Sequence, residues 1–213
     1  MSKPYSFLYL ASQSPRRQEL LTQIGAKFEL LLPDNFENAE LLESLVDGES
    51  SRQYVERVTL AKLSAALIRL QKRKLKWSPI LCADTTVAIT IDGHEHILGK
   101  PKDRQDAHNI LSMLSGRTHQ VHTAVALQKK DSDSPTLIVS SSNVSFSELS
   151  KSQMDTYLTS QEYLGKAGAY GIQGLAACFV KHIEGSFSGI MGLPIFETAQ
   201  LLENCVEYKL NRI

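Results

Sequence analysis

No sign of charge dominates this sequence. Its 213 residues carry 23 Lys and Arg against 23 Asp and Glu, a formal net charge of zero. Proteins that grip duplex nucleic acid along its phosphates usually show a basic excess, so any anion bound here belongs in a local pocket. Aromatic residues are sparse as well, at 7% with a single Trp, which argues against stacking platforms for single-stranded nucleic acid. No apolar run approaches the roughly 18 residues of a membrane span. The apolar segment 5–10 is followed at once by Gln13, Ser14, Arg16 and Arg17, so it reads as a buried strand rather than a signal peptide. Cysteine is scarce too. Cys82, Cys178 and Cys205 are widely spaced and odd in number, forming neither a disulfide framework nor a zinc pattern. They are expected to be buried free thiols in a reducing, cytoplasmic setting.

What is present is an ordinary globular composition, 42% hydrophobic, with no internal repeat and no low-complexity linker. A single domain spanning 1–213 is expected. The segment 15–24 reads as a helix: Ser14 stands at its N-cap, Pro15 at its first position, and Gly25 where it should stop. A strand is expected at 28–32, an acidic irregular stretch over 33–50, and a long helix over 51–70. That helix leads into the basic run QKRKLK (71–76), where cations complement a helix dipole. Asp92-Gly93 is a tight-turn signal between the segments 80–91 and 94–98, which should pair as a hairpin. A helix opening at Pro101 and Asp103 should end at Gly116. Strands at 119–128 and 135–146 follow, then a helix at 150–159, two short strands flanking Glu184-Gly185, and a last helix from Pro194. Early alternation of strands and helices followed by hairpins points to a mixed α/β sheet.

Four segments carry residues suited to chemistry. The turn ASQSPRR (11–17) places Ser12, Ser14, Arg16 and Arg17 at a helix N-terminus, where unpaired N–H groups and the dipole favour phosphate. A plain capped helix with surface arginines explains the local pattern as well, and read alone that account is favoured. In LCADTTV (81–87), Asp84 interrupts an apolar strand, which is costly unless the carboxylate has a partner or a task. A metal ligand, a base for water, or a carboxylate held by backbone N–H groups all satisfy that condition. LGKPKD (98–103) sets Lys100 in a stiff Gly-Pro turn without P-loop spacing. GKAGAYGIQG (165–174) has four glycines in ten residues, and its Gln173 amide can both donate to and accept from a base edge. His94 with His96 and His119 with His122 lack further ligands at zinc spacing. GSFSG (185–189) is not a serine-hydrolase elbow.

In their order along the chain, these segments resemble the Maf family of nucleotide pyrophosphatases. The matches are LYLASQSPRRQELLTQIG (8–25), CADTTV (82–87), ILGKPKD (97–103), LSGRTHQVHTAVAL (114–127), KAGAYGIQG (166–174) and GSFSGIMGLPIFET (185–198). The resemblance implies a mixed central sheet with flanking helices, two lobes around a cleft, and kinship in shape to inosine triphosphate pyrophosphatases. It implies Asp84 as the base that activates water, with Lys62 and Lys100 as catalytic lysines. It also implies Ser12, Arg16 and Arg17 as the phosphate loop. Glu37 in NFEN falls where the family places an acidic residue near the metal, so Glu37 and Asp84 become the expected ligands of Mg²⁺ or Mn²⁺. SPRR with DT and GIQG resembles the subgroup acting on dTTP and UTP, with Arg16, Thr85 and Gln173 setting specificity. A small-molecule nucleotide is then the partner, with neither nucleic acid nor membrane, and a homodimer is compatible with the family. The competing reading is a nucleotide-binding regulator of cell division that acts through a protein partner.

Overall fold

The computed structural model describes residues 4–34, 37, 39–130 and 132–208. Among the described residues, seven strands form one sheet in the order Phe28–Leu30, Leu8–Leu10, Ile80–Ile91, Thr118–Gln128, Thr136–Phe146, Val180–Glu184, with His94–Leu98 paired to Ile80–Ile91. The first half is parallel: β1 (Leu8–Leu10) lies between β2 (Phe28–Leu30) and β3 (Ile80–Ile91). The second half is antiparallel, running from β3 to β5 (Thr118–Gln128), β6 (Thr136–Phe146) and β7 (Val180–Glu184). This is the mixed α/β sheet expected from the order of elements.

Local chemistry explains most boundaries. Helix α1 (Pro15–Gln23) starts on Pro15 and gives way to Gly25, whose φ of 72° suits the residue without a Cβ. Helix α2 (Ser51–Lys72) is opened by a capping box between Ser50 and Gln53. Asp92 and Gly93, both at positive φ, turn β3 into β4 (His94–Leu98). Asp103 caps α3 (Arg104–Leu114), and a second capping box, Ser150 with Gln153, opens α4 (Lys151–Thr159).

Two expectations are corrected. Gly185 is not flanked by two strands, because only β7 precedes it. The Ser186 hydroxyl accepts from the Gly189 N–H, and Gly192 closes the turn in the left-handed region, so Phe187–Met191 forms a short helix, α5. Nor are all three thiols buried: Cys82 and Cys205 are, but Cys178 is exposed on a 3-10 turn.

The core divides along β3. Around its first half, α1 and the last helix, α6 (Ile195–Leu202), cover one face, packing on Leu8, Leu10, Leu81 and Val125. On the other face α2 packs on Ile80, Cys82 and Ala126 through Leu63, Ala66 and Leu70. Around its second half, α3 and α4 bury Val87 and Ile89 together with the aromatic cluster of Phe146, Tyr157 and Tyr170. One strand therefore serves both packed regions, and the site lies at their junction.

Candidate active site

Asp84 stands at a gap in the sheet edge. Strand β1 pairs with β3 only at Ile80 and Leu81, and β4 joins the same edge at Val87, while β5 pairs along the other edge from Ile80 to Ala88. Between Leu81 and Val87 that edge meets no strand among the described residues, and a cavity of about 550 Å³ opens there. A volume of this size suits a small-molecule ligand. The loop leaving the carboxyl end of a parallel strand is also where open α/β sheets bind ligands.

Strand alternation sends neighbouring side chains to opposite faces. Asp84, 8% exposed, points towards α2, where Lys62 Nζ donates to its Oδ1 at 2.6 Å. The same ammonium donates to Glu43 Oε1 at 2.7 Å, and Lys100 Nζ donates to Glu43 Oε2 at 2.8 Å. Burial works against the Lys62 charge, but Asp84 and Glu43 outweigh it and raise its pKa. Burial likewise opposes the Glu43 charge, and the two lysines more than offset it, lowering its pKa. Lys62 and Glu43 are therefore ionised at neutral pH.

Thr85 points to the other face. Its hydroxyl accepts from Arg17 at 3.2 Å and shares a 2.9 Å hydrogen bond with Thr123, which donates to the Gly189 carbonyl at 2.8 Å. Arg17 also donates to Ser12 Oγ at 3.0 Å and to the Gly192 carbonyl at 2.8 Å. The expected pair of phosphate-gripping arginines is thus divided in its work. Arg17 ties the first loop to β3 and α5, whereas Arg16, among the described residues, donates only its Nε, to Met191 O at 3.3 Å. Ser14 occupies the N-cap of α1 without a side-chain cap bond, so the first N–H groups of that helix remain available to an anion.

The opposite wall is the glycine-rich segment. Gly165 and Gly168 have φ of 68°, and the Gly168 N–H donates to Gly99 O at 3.2 Å, joining this wall to the turn that carries Lys100. Tyr157 Oη donates to the Ala169 carbonyl, and Tyr170 Oη is bonded to His119 Nε2 at 2.9 Å. Burial lowers the His119 pKa to about 4, so the ring is neutral and structural. His122 is bonded to Ser141, while His94 and His96 are exposed; among the described residues no three His, Cys, Asp or Glu cluster as for a metal. Gln173 lines the cavity, and its side chain has no hydrogen-bond partner among the described residues.

A family model described as Maf-like protein matches residues 7–205. The chain belongs to the Maf family. Relatives named dTTP/UTP pyrophosphatase include one from Albidiferax ferrireducens, 52% identical over 93% of this chain and 96% of its own. Another, from Ralstonia nicotianae, is 55% identical over 93% of this chain and 94% of its own. The structure of the Staphylococcus aureus Ham1 protein overlaps 66% of this chain and 72% of its own at a TM-score of 0.41 and 12% identity, too distant to bear on the argument.

Within this Maf chain, Ser12, Arg16, Arg17, Lys62, Asp84, Thr85, Lys100 and Gln173 all line one cavity. Glu37 does not. Its two oxygens accept from Arg69 at 3.0 and 2.6 Å, and one also accepts from the Asp34 N–H. Hydrogen bonding to Arg69 holds its pKa down near 2. Glu43 stands in the cavity instead, a residue that sequence reasoning missed. No local signal marks it, because its place is fixed from α2: Tyr54 Oη donates to the Glu43 carbonyl at 3.0 Å and Arg57 to the Ser44 carbonyl at 2.9 Å. Lys166 was missed as well. It lines the cavity and donates to the Glu162 carbonyl, and burial together with Arg16 lowers its pKa.

Proposed function

We propose that this chain hydrolyses dTTP and UTP between the α- and β-phosphates, releasing the nucleoside monophosphate and pyrophosphate. The observation that carries this reading is Asp84, a buried carboxylate at the sheet gap, in a cavity that also presents Arg16, Lys62, Lys100 and an uncapped helix end. The identity of 52–55% to relatives bearing that name supports it over nearly the full chain. A purely regulatory nucleotide-binding protein would have no use for a carboxylate among phosphate-binding cations.

The chemistry asks for positioning and charge rather than covalent work. The N–H groups of α1 and the free end of Arg16 hold the phosphates. Lys62 pins Asp84 Oδ1, leaving Oδ2 to accept a proton from the attacking water. As the water oxygen bonds to the α-phosphorus, the bond to the bridging oxygen breaks, and Lys100 and Arg16 stabilise the charge that develops on the leaving pyrophosphate. Gln173 reads the pyrimidine edge with its amide. A divalent ion fits this donor set as a companion of the substrate, since Mg²⁺ typically takes one or two carboxylates and completes its shell with water and phosphate oxygens. Asp84 and Glu43 would hold it, and it would supply neutralisation of phosphate charge. No helix among the described residues is long and apolar enough to cross a membrane, and we place the activity in the cytoplasmic nucleotide pool.

The test incubates the protein with Mg²⁺ and each common triphosphate, assaying pyrophosphate and orthophosphate separately. Pyrophosphate and monophosphate should form in equal amounts from dTTP and UTP, and chelation should stop the reaction. Orthophosphate without pyrophosphate would mean attack at the γ-phosphorus and would sink the assignment.

A further inference from the structure

Gln173 sits in a turn closed by a 3.0 Å hydrogen bond from the Gly174 N–H to Gly171 O. The chain then enters a 3-10 turn, Leu175–Phe179, whose N-cap is Gly174 and so offers no side chain to its first N–H groups. The cap comes from another segment. Glu162, thirteen residues before Leu175, accepts from the Leu175 N–H with Oε2 at 2.8 Å. Glu162 is itself fixed through its backbone. Its N–H donates to Ser160 Oγ at 3.2 Å, its carbonyl accepts from Lys166 Nζ, and the adjoining Tyr163 is buried in the aromatic core.

The glycines on either side of Ile172 and Gln173 show how closely this arm lies against the turn. Neither has a positive φ, so backbone conformation does not call for glycine at either place. Space does. A Cβ at 174 would lie 2.3–2.4 Å from the atoms of the Glu162 carboxylate, and one at 171 would lie 2.9 Å from Lys166 Cε.

Lys166, Gly171, Ile172 and Gln173 line the cavity, whereas Glu162 and Gly174 do not. With no hydrogen-bond partner of its own among the described residues, the Gln173 amide takes its place from the backbone of this turn. A group that reads a ligand by hydrogen bonds must be held to within about 0.5 Å by the residues around it. We propose that Glu162 is a positioning residue for base recognition. Lodged outside the cavity, it fixes the turn through the Leu175 N–H and the bare face of Gly174, and so sets the place from which Gln173 reads the pyrimidine. Selectivity for the base then depends on a carboxylate that never touches the nucleotide. The inference rests on the pyrophosphatase reading and deepens its assignment of Gln173.

The test is a double-mutant cycle between Glu162 and Gln173. Calorimetry in Mg²⁺ compares the affinities for α,β-methylene-dUTP and α,β-methylene-ATP, alongside kcat/KM for UTP and ATP. Glu162→Ala should lower the pyrimidine-to-purine ratio about fivefold, with the purine analogue bound within about twofold of the wild type. On a Gln173→Ala background the same substitution should move the ratio by less than about twofold, because the group it positions is gone. Glu162→Gln keeps an oxygen that can accept from the Leu175 N–H and should restore most of the ratio. Gly174→Ala, whose Cβ displaces the carboxylate, should reproduce the loss, and it takes the place of Glu162→Ala in the cycle should that variant not fold. Equal losses on both analogues, or effects of Glu162 and Gln173 that simply multiply, would mean a structural role alone and overturn the proposal. So would a wild type that binds both analogues equally. Should the wild type prefer the pyrimidine yet release no pyrophosphate, the reaction would be wrong, and the coupling in binding would still decide the place of Glu162.

Discussion

The two walls of the cavity are built on different principles. On the wall formed by α1, α2 and the Lys100 turn, charged groups hold one another: Lys62 lies between Asp84 and Glu43, Lys100 on Glu43, Arg17 between Ser12 and Thr85. On the facing wall, the shape is set by backbone. Gly168 and Ala169 have φ of 68° and 60°, and buried Tyr157 and Tyr170 tie the segment into an aromatic core. The charged wall is redundant, since Lys62 keeps a carboxylate even when one is removed. The glycine wall has no such reserve, because backbone in the left-handed region and van der Waals contact cannot be shared out among neighbours. Chemistry should therefore fail first when the charged wall is altered, and folding first when the glycine wall is.

The largest effect should come from the charged wall. Asp84→Asn keeps the side-chain shape and removes the proton acceptor, so kcat for pyrophosphate release should fall about 10³-fold, equivalent to about 4 kcal/mol in the barrier. Lys62 retains Glu43 as a partner, so Tm should shift little. A variant that keeps full turnover would remove Asp84 from the chemistry, and one that fails to fold would refute the redundancy.

Next is the glycine wall. A Cβ on Gly168 would lie 2.9–3.1 Å from the side-chain atoms of Val87 on β3, at a φ that disfavours any L side chain. Gly168→Ala should cost about 3 kcal/mol from overpacking and left-handed strain together. For a chain of this size that is a loss of about 6–12 °C in Tm, followed by calorimetry or thermal circular dichroism. A loss under about 2 °C would show that the wall yields freely against β3, and the contrast between the walls would fail.

How much of this could be read in one dimension follows from the same division. Features fixed by near neighbours were legible: the Asp92-Gly93 hairpin, the Pro15 start and Gly25 stop of α1, the Asp103 cap, and Asp84 as a carboxylate that needed a partner or a task. Features fixed across the fold were not. Asp34, Glu37, Glu43, Asp47 and Glu49 lie in one acidic stretch, and nothing local tells which of them turns inward. Tyr54 and Arg57 decide it from the next helix. Likewise Arg16 and Arg17 are identical in sequence terms, and Thr85 and Gly192 separate their roles. The strand expected after Gly185 failed for a local reason, an N-cap serine and a C-terminal glycine too closely spaced to read as a helix.

The smallest effect, and the sharpest test of what the glycine wall is for, concerns Gln173. It is exposed, lines the cavity, and its amide has no partner among the described residues, so truncation costs the fold nothing that the structure shows. Its work is on the ligand. Gln173→Ala should lower kcat/KM for UTP and dTTP about tenfold, the order expected for losing a hydrogen bond that reads a base, or about 1.4 kcal/mol. The rate on a purine triphosphate should move by less than about twofold, because the charged wall that holds the phosphates is intact. Equal losses on every triphosphate would mean that Gln173 supports the phosphates instead. Base recognition would then have to come from the backbone of the glycine segment, and the two walls would differ in construction but not in task.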